Sequence, residues 1–178
     1  MRHAAWLLAL ALAQDAPEFP KPQREHQILK QWEGDWDATC RMTGESGQEN
    51  VEFKGREAAT LAYGGFWLVM EFTGEAHRKS FQGRGTIGYD PAKQKYVLTW
   101  IDSLNPQMMT AEGGAEKDGK VLTFYGGCVD PSDKTQVQDK LVFEIRDADT
   151  RTLTFYTTGA DRKDQKGMEI LYTRHRQP

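Results

Sequence analysis

The 178-residue chain carries 23 Lys and Arg against 26 Asp and Glu, a formal charge of −3, and it holds only two cysteines. A mildly acidic balance with scattered charges excludes the basic footprint that nucleic acid or anionic lipid demands. The length suits one domain able to bury a substantial core.

Arg2 and His3 precede an apolar run, Ala4–Leu10, and a small-x-small site at Ala11-Leu12-Ala13. This pattern predicts a secretory signal over residues 1–13 and export to the periplasm or beyond. The run is too short to cross a bilayer, which takes roughly twenty apolar residues, and no later segment qualifies. Gln14, not Cys, follows the cut, so lipid attachment is not expected there. Pro17, Pro20 and Pro22 make residues 14–22 a linker, and residues 23–178 read as a single β-barrel domain.

Ile28, Leu29 and Trp32 recur at helical spacing, which predicts one short helix over Gln23–Trp32, stopped by Gly34. Strands follow. Trp36, Ala38, Cys40 and Met42 alternate with Asp37, Thr39 and Arg41, a strand with one buried face. After a loop at Gly44–Gln48 come Val51–Tyr63, a Gly64-Gly65 turn, Phe66–Gly74, Phe81–Tyr89 and Lys95–Ser103. Gln107–Glu116, Val121–Cys128, Thr135–Arg146, Thr152–Thr158 and Gly167–His175 complete the set. Asp90-Pro91, Asn105-Pro106, Asp118-Gly119 and Asp130-Pro131 supply the turn chemistry between them.

About ten short, evenly spaced antiparallel strands with almost no helix predict an all-β, closed, up-and-down barrel, since closure removes unpaired edges. A sandwich is the alternative. Gly34 and Trp36 at the first strand and Arg174 at the last are structural candidates. The indole would plug the barrel floor with the guanidinium stacked on it.

Several blocks occur in order: Pro22-x-x-Glu25-His26, Gly34-x-Trp36, Phe81-x-Gly83-x-Gly85-x-x-Gly88-Tyr89-Asp90, Tyr96-x-x-x-Trp100-Ile101-Asp102-Ser103 and Met168-Glu169-Ile170-x-Tyr172-x-Arg174. On these residues the chain resembles the bacterial domain-of-unknown-function family DUF1579 over nearly all of Pro20–Arg174. The resemblance implies a lipocalin-like ten-stranded barrel and carries no activity. Cys40, His77 and Cys128 lie outside the pattern.

Motifs elsewhere are weak. Gly83-x-Gly85-x-x-Gly88 has dinucleotide-loop spacing, but the turn at Tyr89-Asp90-Pro91 stands where a helix should begin. The glycines read instead as relief where a barrel strand bends. No His-x-x-x-His or Cys-x-x-Cys pair supports a metal, and no serine-nucleophile signature is present. His26 reads as exposed or capping, and His77 as a turn residue. Some ten-stranded barrels of similar architecture bind haem through a late histidine. His175, however, lies on the face opposite Met168, Ile170 and Tyr172, so no haem or other cofactor is expected. Asp35 and Asp37 point outward if Trp36 points in. Cys40 and Cys128 fall on inward positions of distant strands and read as thiols, with a disulfide as the alternative.

Asp102 is the sharpest candidate. It shares a strand face with Tyr96, Leu98 and Trp100, so an inward Trp100 places a carboxylate inside, near a barrel mouth. It would act there as ligand anchor or proton donor, or simply cap the turn that follows. The leading expectation is an exported, monomeric binding module for a small, largely apolar molecule. Met70, Phe72, Trp100, Asp102 and Phe155 would contact the ligand, with the helix as lid or plug. An isomerase or hydrolase using Asp102 is the second reading, and a ligand-free envelope interaction domain the third.

Overall fold

A computed structural model describes residues 19–43, 51–76, 79–129, 138–158 and 164–176. The expected signal segment, the Gly44–Gln48 loop and His77 lie outside these residues. α1 spans Arg24–Ile28 and runs into a 3-10 turn at Leu29–Trp32. Ten strands follow: β1 Gly34–Met42, β2 Val51–Ala62, β3 Trp67–Ala76, β4 Lys79–Asp90 and β5 Lys95–Asp102. The second half contains β6 Met109–Glu116, β7 Val121–Gly127, β8 Asp139–Ile145, β9 Thr150–Thr158 and β10 Asp164–Arg174.

Every strand pairs antiparallel with its neighbour in sequence, and β1 pairs with β10, so the sheet closes into a lipocalin-like up-and-down barrel. The sandwich alternative is thereby excluded. In the closing register Trp36 faces Arg174, Ala38 faces Tyr172 and Cys40 faces Ile170. Alternation explains the core: Trp36, Ala38 and Cys40 in β1, Leu68, Met70 and Phe72 in β3, and Tyr96 and Leu98 in β5 are all buried.

Two details depart from the alternation read along the chain. Met42 is exposed, because β1 has reached the barrel end by that residue. Phe66 precedes β3 and is only half-buried, its ring meeting the His26 ring edge-on at 5.1 Å. His26 itself is buried, not exposed. Its Nδ1 accepts the Gln23 amide at 3.0 Å, closing the helix start, while Phe66 and Tyr89 cover the ring. The capping half of that expectation stands, and the exposed half fails because the helix lies on the barrel end.

α1 and the 3-10 turn plug one end. Leu29 and Trp32 are fully buried, and the Trp32 indole Nε1 donates to the Gly119 carbonyl at 3.2 Å. The Tyr96 hydroxyl donates to the Glu25 carbonyl at 2.9 Å, and the Leu61 amide donates to Glu33 Oε1 at 2.7 Å. Gly34, at φ 135°, gives the turn from plug into β1 a backbone that other residues rarely adopt.

The glycines of β4 answer to close approach. A Cβ at Gly85 would come within 2.7 Å of Met70 Cε, and one at Gly88 within 2.5 Å of the Trp67 ring. A Cβ at Gly83 would overlap Trp100. Their dinucleotide-like spacing therefore reflects two tryptophan rings laid across one strand.

Trp32→Ala should cost about 3–5 kcal/mol of unfolding free energy, because it removes a fully buried indole and its hydrogen bond. Urea denaturation followed by circular dichroism measures this, and a loss below about 1 kcal/mol would contradict a packed plug.

Candidate functional site

At the end away from the plug, the barrel encloses a cavity of about 670 Å³. All five residues expected to contact a ligand line it: Met70, Phe72, Trp100, Asp102 and Phe155. They come from β3, β5 and β9, so alternation on separate strands converges on one space. Glu57 and Tyr172 reach it from the plugged side, while Leu104, Asn105 and Val129 stand at the outer end. Leu104 and Val129 are largely exposed, so that outer rim meets solvent.

Asp102 is held as an acceptor. Its Oδ1 takes the amides of Leu104 and Asn105, each at 2.8 Å, and its Oδ2 takes the Trp100 indole Nε1 at 3.0 Å. The turn-capping reading and the cavity-facing reading are thus both true of one side chain. Three donors on one carboxylate fix the Trp100 ring against the wall and suit an anchor better than a proton shuttle.

Deeper in lies a constellation not singled out along the chain. Glu57 and Arg151 form an ion pair, 4% and 3% exposed. Arg151 Nη1 also donates to the Trp32 carbonyl at 2.6 Å. Its guanidinium lies over the Trp36 ring at 4.2 Å and over the Tyr172 ring at 4.8 Å. Arg174 lies over Trp36 at 4.3 Å, the stacking expected between first and last strands. Burial pushes the Glu57 carboxyl up, against the lowering pull of Arg151 and Tyr172. Burial likewise lowers Arg151, against the charge of Glu57. Tyr172 is raised well above the ordinary tyrosine range by burial and by Glu57.

The signal for this pair was faint but present. Glu57 alternates with Gly55 and Ala59, and Arg151 with Leu153 and Phe155, so both fall on inward positions. Among the described residues only Trp36 Nε1 and Arg151 Nε are buried side-chain polar atoms without a hydrogen-bond partner.

Both cysteines line the cavity as thiols, Cys40 buried and Cys128 half-buried. Burial, with a smaller push from Glu57, raises Cys40 to about 12. Cys128 is raised by burial and by the charges of Asp139 and Asp102. Asp139, half-buried at the start of β8, is raised by burial. On the outer surface Asp37 Oδ2 and His175 Nδ1 are 2.9 Å apart, and Arg56 joins them. The hydrogen bond from His175 is the main cause that lowers Asp37. His175 is therefore turned away from the cavity, as its strand face requires. Among the described residues no group of three or more His, Cys, Asp or Glu is placed to hold a metal ion.

A family model described as "Protein of unknown function (DUF1579)" matches residues 21–174. Among solved structures, the chain is similar to Rv2717c from M. tuberculosis, with a TM-score of 0.64 and 13% identity. That match covers 88% of this chain and 100% of the other. It is also similar to the S-type phycobiliprotein lyase CPES from Guillardia theta, with a TM-score of 0.59 and 11% identity over the same shares. At such identities the likeness shows the fold alone. No curated protein matches the chain.

Two outcomes follow from the buried groups. Glu57→Gln should cost about 3–5 kcal/mol in urea unfolding, because it strands the Arg151 charge, whereas Glu57→Gln with Arg151→Met should recover part of that loss. Iodoacetamide at pH 8 should modify Cys40 roughly a thousandfold more slowly in the folded protein than in urea, since little thiolate exists there. Equal rates by mass spectrometry would contradict the buried thiol.

Proposed function

The chain belongs to the DUF1579 family, described as a protein of unknown function, and from that premise we propose that its barrel binds a small, largely apolar molecule in the interior. The observation that supports this most is the cavity itself. At about 670 Å³ it falls within the range of roughly 300–1,000 Å³ common for ligand pockets. Phe72, Trp100, Phe155 and Met70 would grip a flat or chain-like body through ring and thioether contacts. Asp102, already oriented by three donors, would offer the polar contact. The plug stays shut at the far end, so exchange would run past Leu104 and Val129.

A barrel of similar shape serves in Guillardia theta as a phycobiliprotein lyase; that supports an interior put to use and lends no reaction to this chain. The absence of unpaired strand edges in the closed sheet favours a monomer. The Arg2-to-Ala13 pattern favours export, to the periplasm or beyond, where the protein would hold its ligand.

Nile red, a neutral apolar dye, should bind saturably with a dissociation constant on the order of micromolar, read by its fluorescence. Met168→Trp, which adds bulk at the cavity wall, should weaken that binding at least about tenfold while the protein stays folded. A dye that fails to saturate, together with no small molecule extracted from protein purified from its native source, would overturn the reading.

A further inference from the structure

Three carboxylates line the cavity, Glu57, Asp102 and Asp139, and no Lys, Arg or His side chain does so among the described residues. Charge in an apolar enclosure is costly unless it is answered. Glu57 is answered by Arg151, and Asp102 by two amides and an indole. Asp139 is not matched in the same way. It is half-buried and receives a hydrogen bond from Thr157 Oγ1 at 3.4 Å, with burial rather than a neighbouring cation as the main influence on its carboxyl. Asp139, Asp102 and Cys128 all line the cavity, the two carboxylates at the ends of β8 and β5, and both push the Cys128 thiol up.

We propose that the cavity selects an apolar molecule bearing a protonated amine, with the ammonium seated against Asp139, and rejects the matching carboxylic acid. The proposal rests on the ligand-binding reading above and adds the ligand's charge to it. An alkyl ammonium would place its chain among Phe72, Leu141, Phe155 and Met168 and donate a charge-assisted hydrogen bond to the carboxylate. Such an amine stays charged at neutral pH, as the lysine side chain does with its pKa of about 10.4. A carboxylate head would find three acids and no basic side chain among the described lining residues, and would enter only by leaving its hydration unreplaced.

Dodecylamine, dodecanol and sodium dodecanoate, compared below their micelle concentrations by displacement of Nile red at pH 7.5, separate the possibilities. The expected order is amine, then alcohol, then carboxylate, with at least about tenfold between the extremes. Asp139→Asn should bring the amine down to the level of the alcohol and leave the alcohol within about twofold of its original affinity. Should the variant also lose the alcohol, the order on the unaltered protein decides alone. Carboxylate binding as tight as the amine overturns the proposal, as does an amine preference that survives Asp139→Asn with the alcohol still bound. Failure of all three ligands to displace a bound dye also overturns the proposal and leaves the ligand-binding reading standing. A dye that does not bind, with no small molecule extracted from the purified protein, overturns that reading instead.

Discussion

The architecture depends on the closure of β1 upon β10, and on what makes that seam hold at the plugged end. Trp36 sits at the seam with two guanidinium groups over its ring, from Arg174 on the partner strand and from Arg151 on the next. Arg151 is fixed in turn by Glu57 and by the Trp32 carbonyl. The plug, β1, β2, β9 and β10 are thus tied through one buried cation. Breaking one partner of such a pair leaves an unanswered charge, so the knot demands correct assembly more than it adds net stability. It also divides the barrel, with the cavity on one side of Glu57 and Tyr172 and the buried Leu29 and Trp32 of the plug on the other.

That division bears on function. A barrel of ten strands has more interior than side chains alone fill. Here the surplus lies at the outer half, where Phe72, Trp100 and Phe155 line a void. Gly83 and Gly85 contribute by letting the Trp100 ring lie against β4, while Gly88 gives the same room to Trp67 on the outer face. Asp102 completes this by holding the Trp100 indole edge.

Much of this was legible along the chain, for a definite reason. Period-two alternation is local, so it correctly oriented Trp36, Met70, Phe72, Trp100 and Asp102, and the even spacing of turns implied consecutive pairing. Partnership between distant residues is not local. Glu57 and Arg151 are 94 positions apart, and no pattern within either strand announces that one answers the other. Arg151 was further hidden because β9 begins earlier than its apolar residues suggest, at Thr150. His26 misled in the opposite direction, since a polar residue on a short helix looks solvated until the helix is seen to lie across a barrel end.

The up-and-down order has one long-range exception, Trp36 with Arg174. Nine hairpin pairings can form as the polypeptide emerges, each beside the last, but the tenth requires the final stretch. Until residue 174 is available the growing sheet has two raw borders able to recruit strands from other molecules. Without β10 those borders stay open, so the strand Asp164–Arg174 acts as the latch on the whole ring.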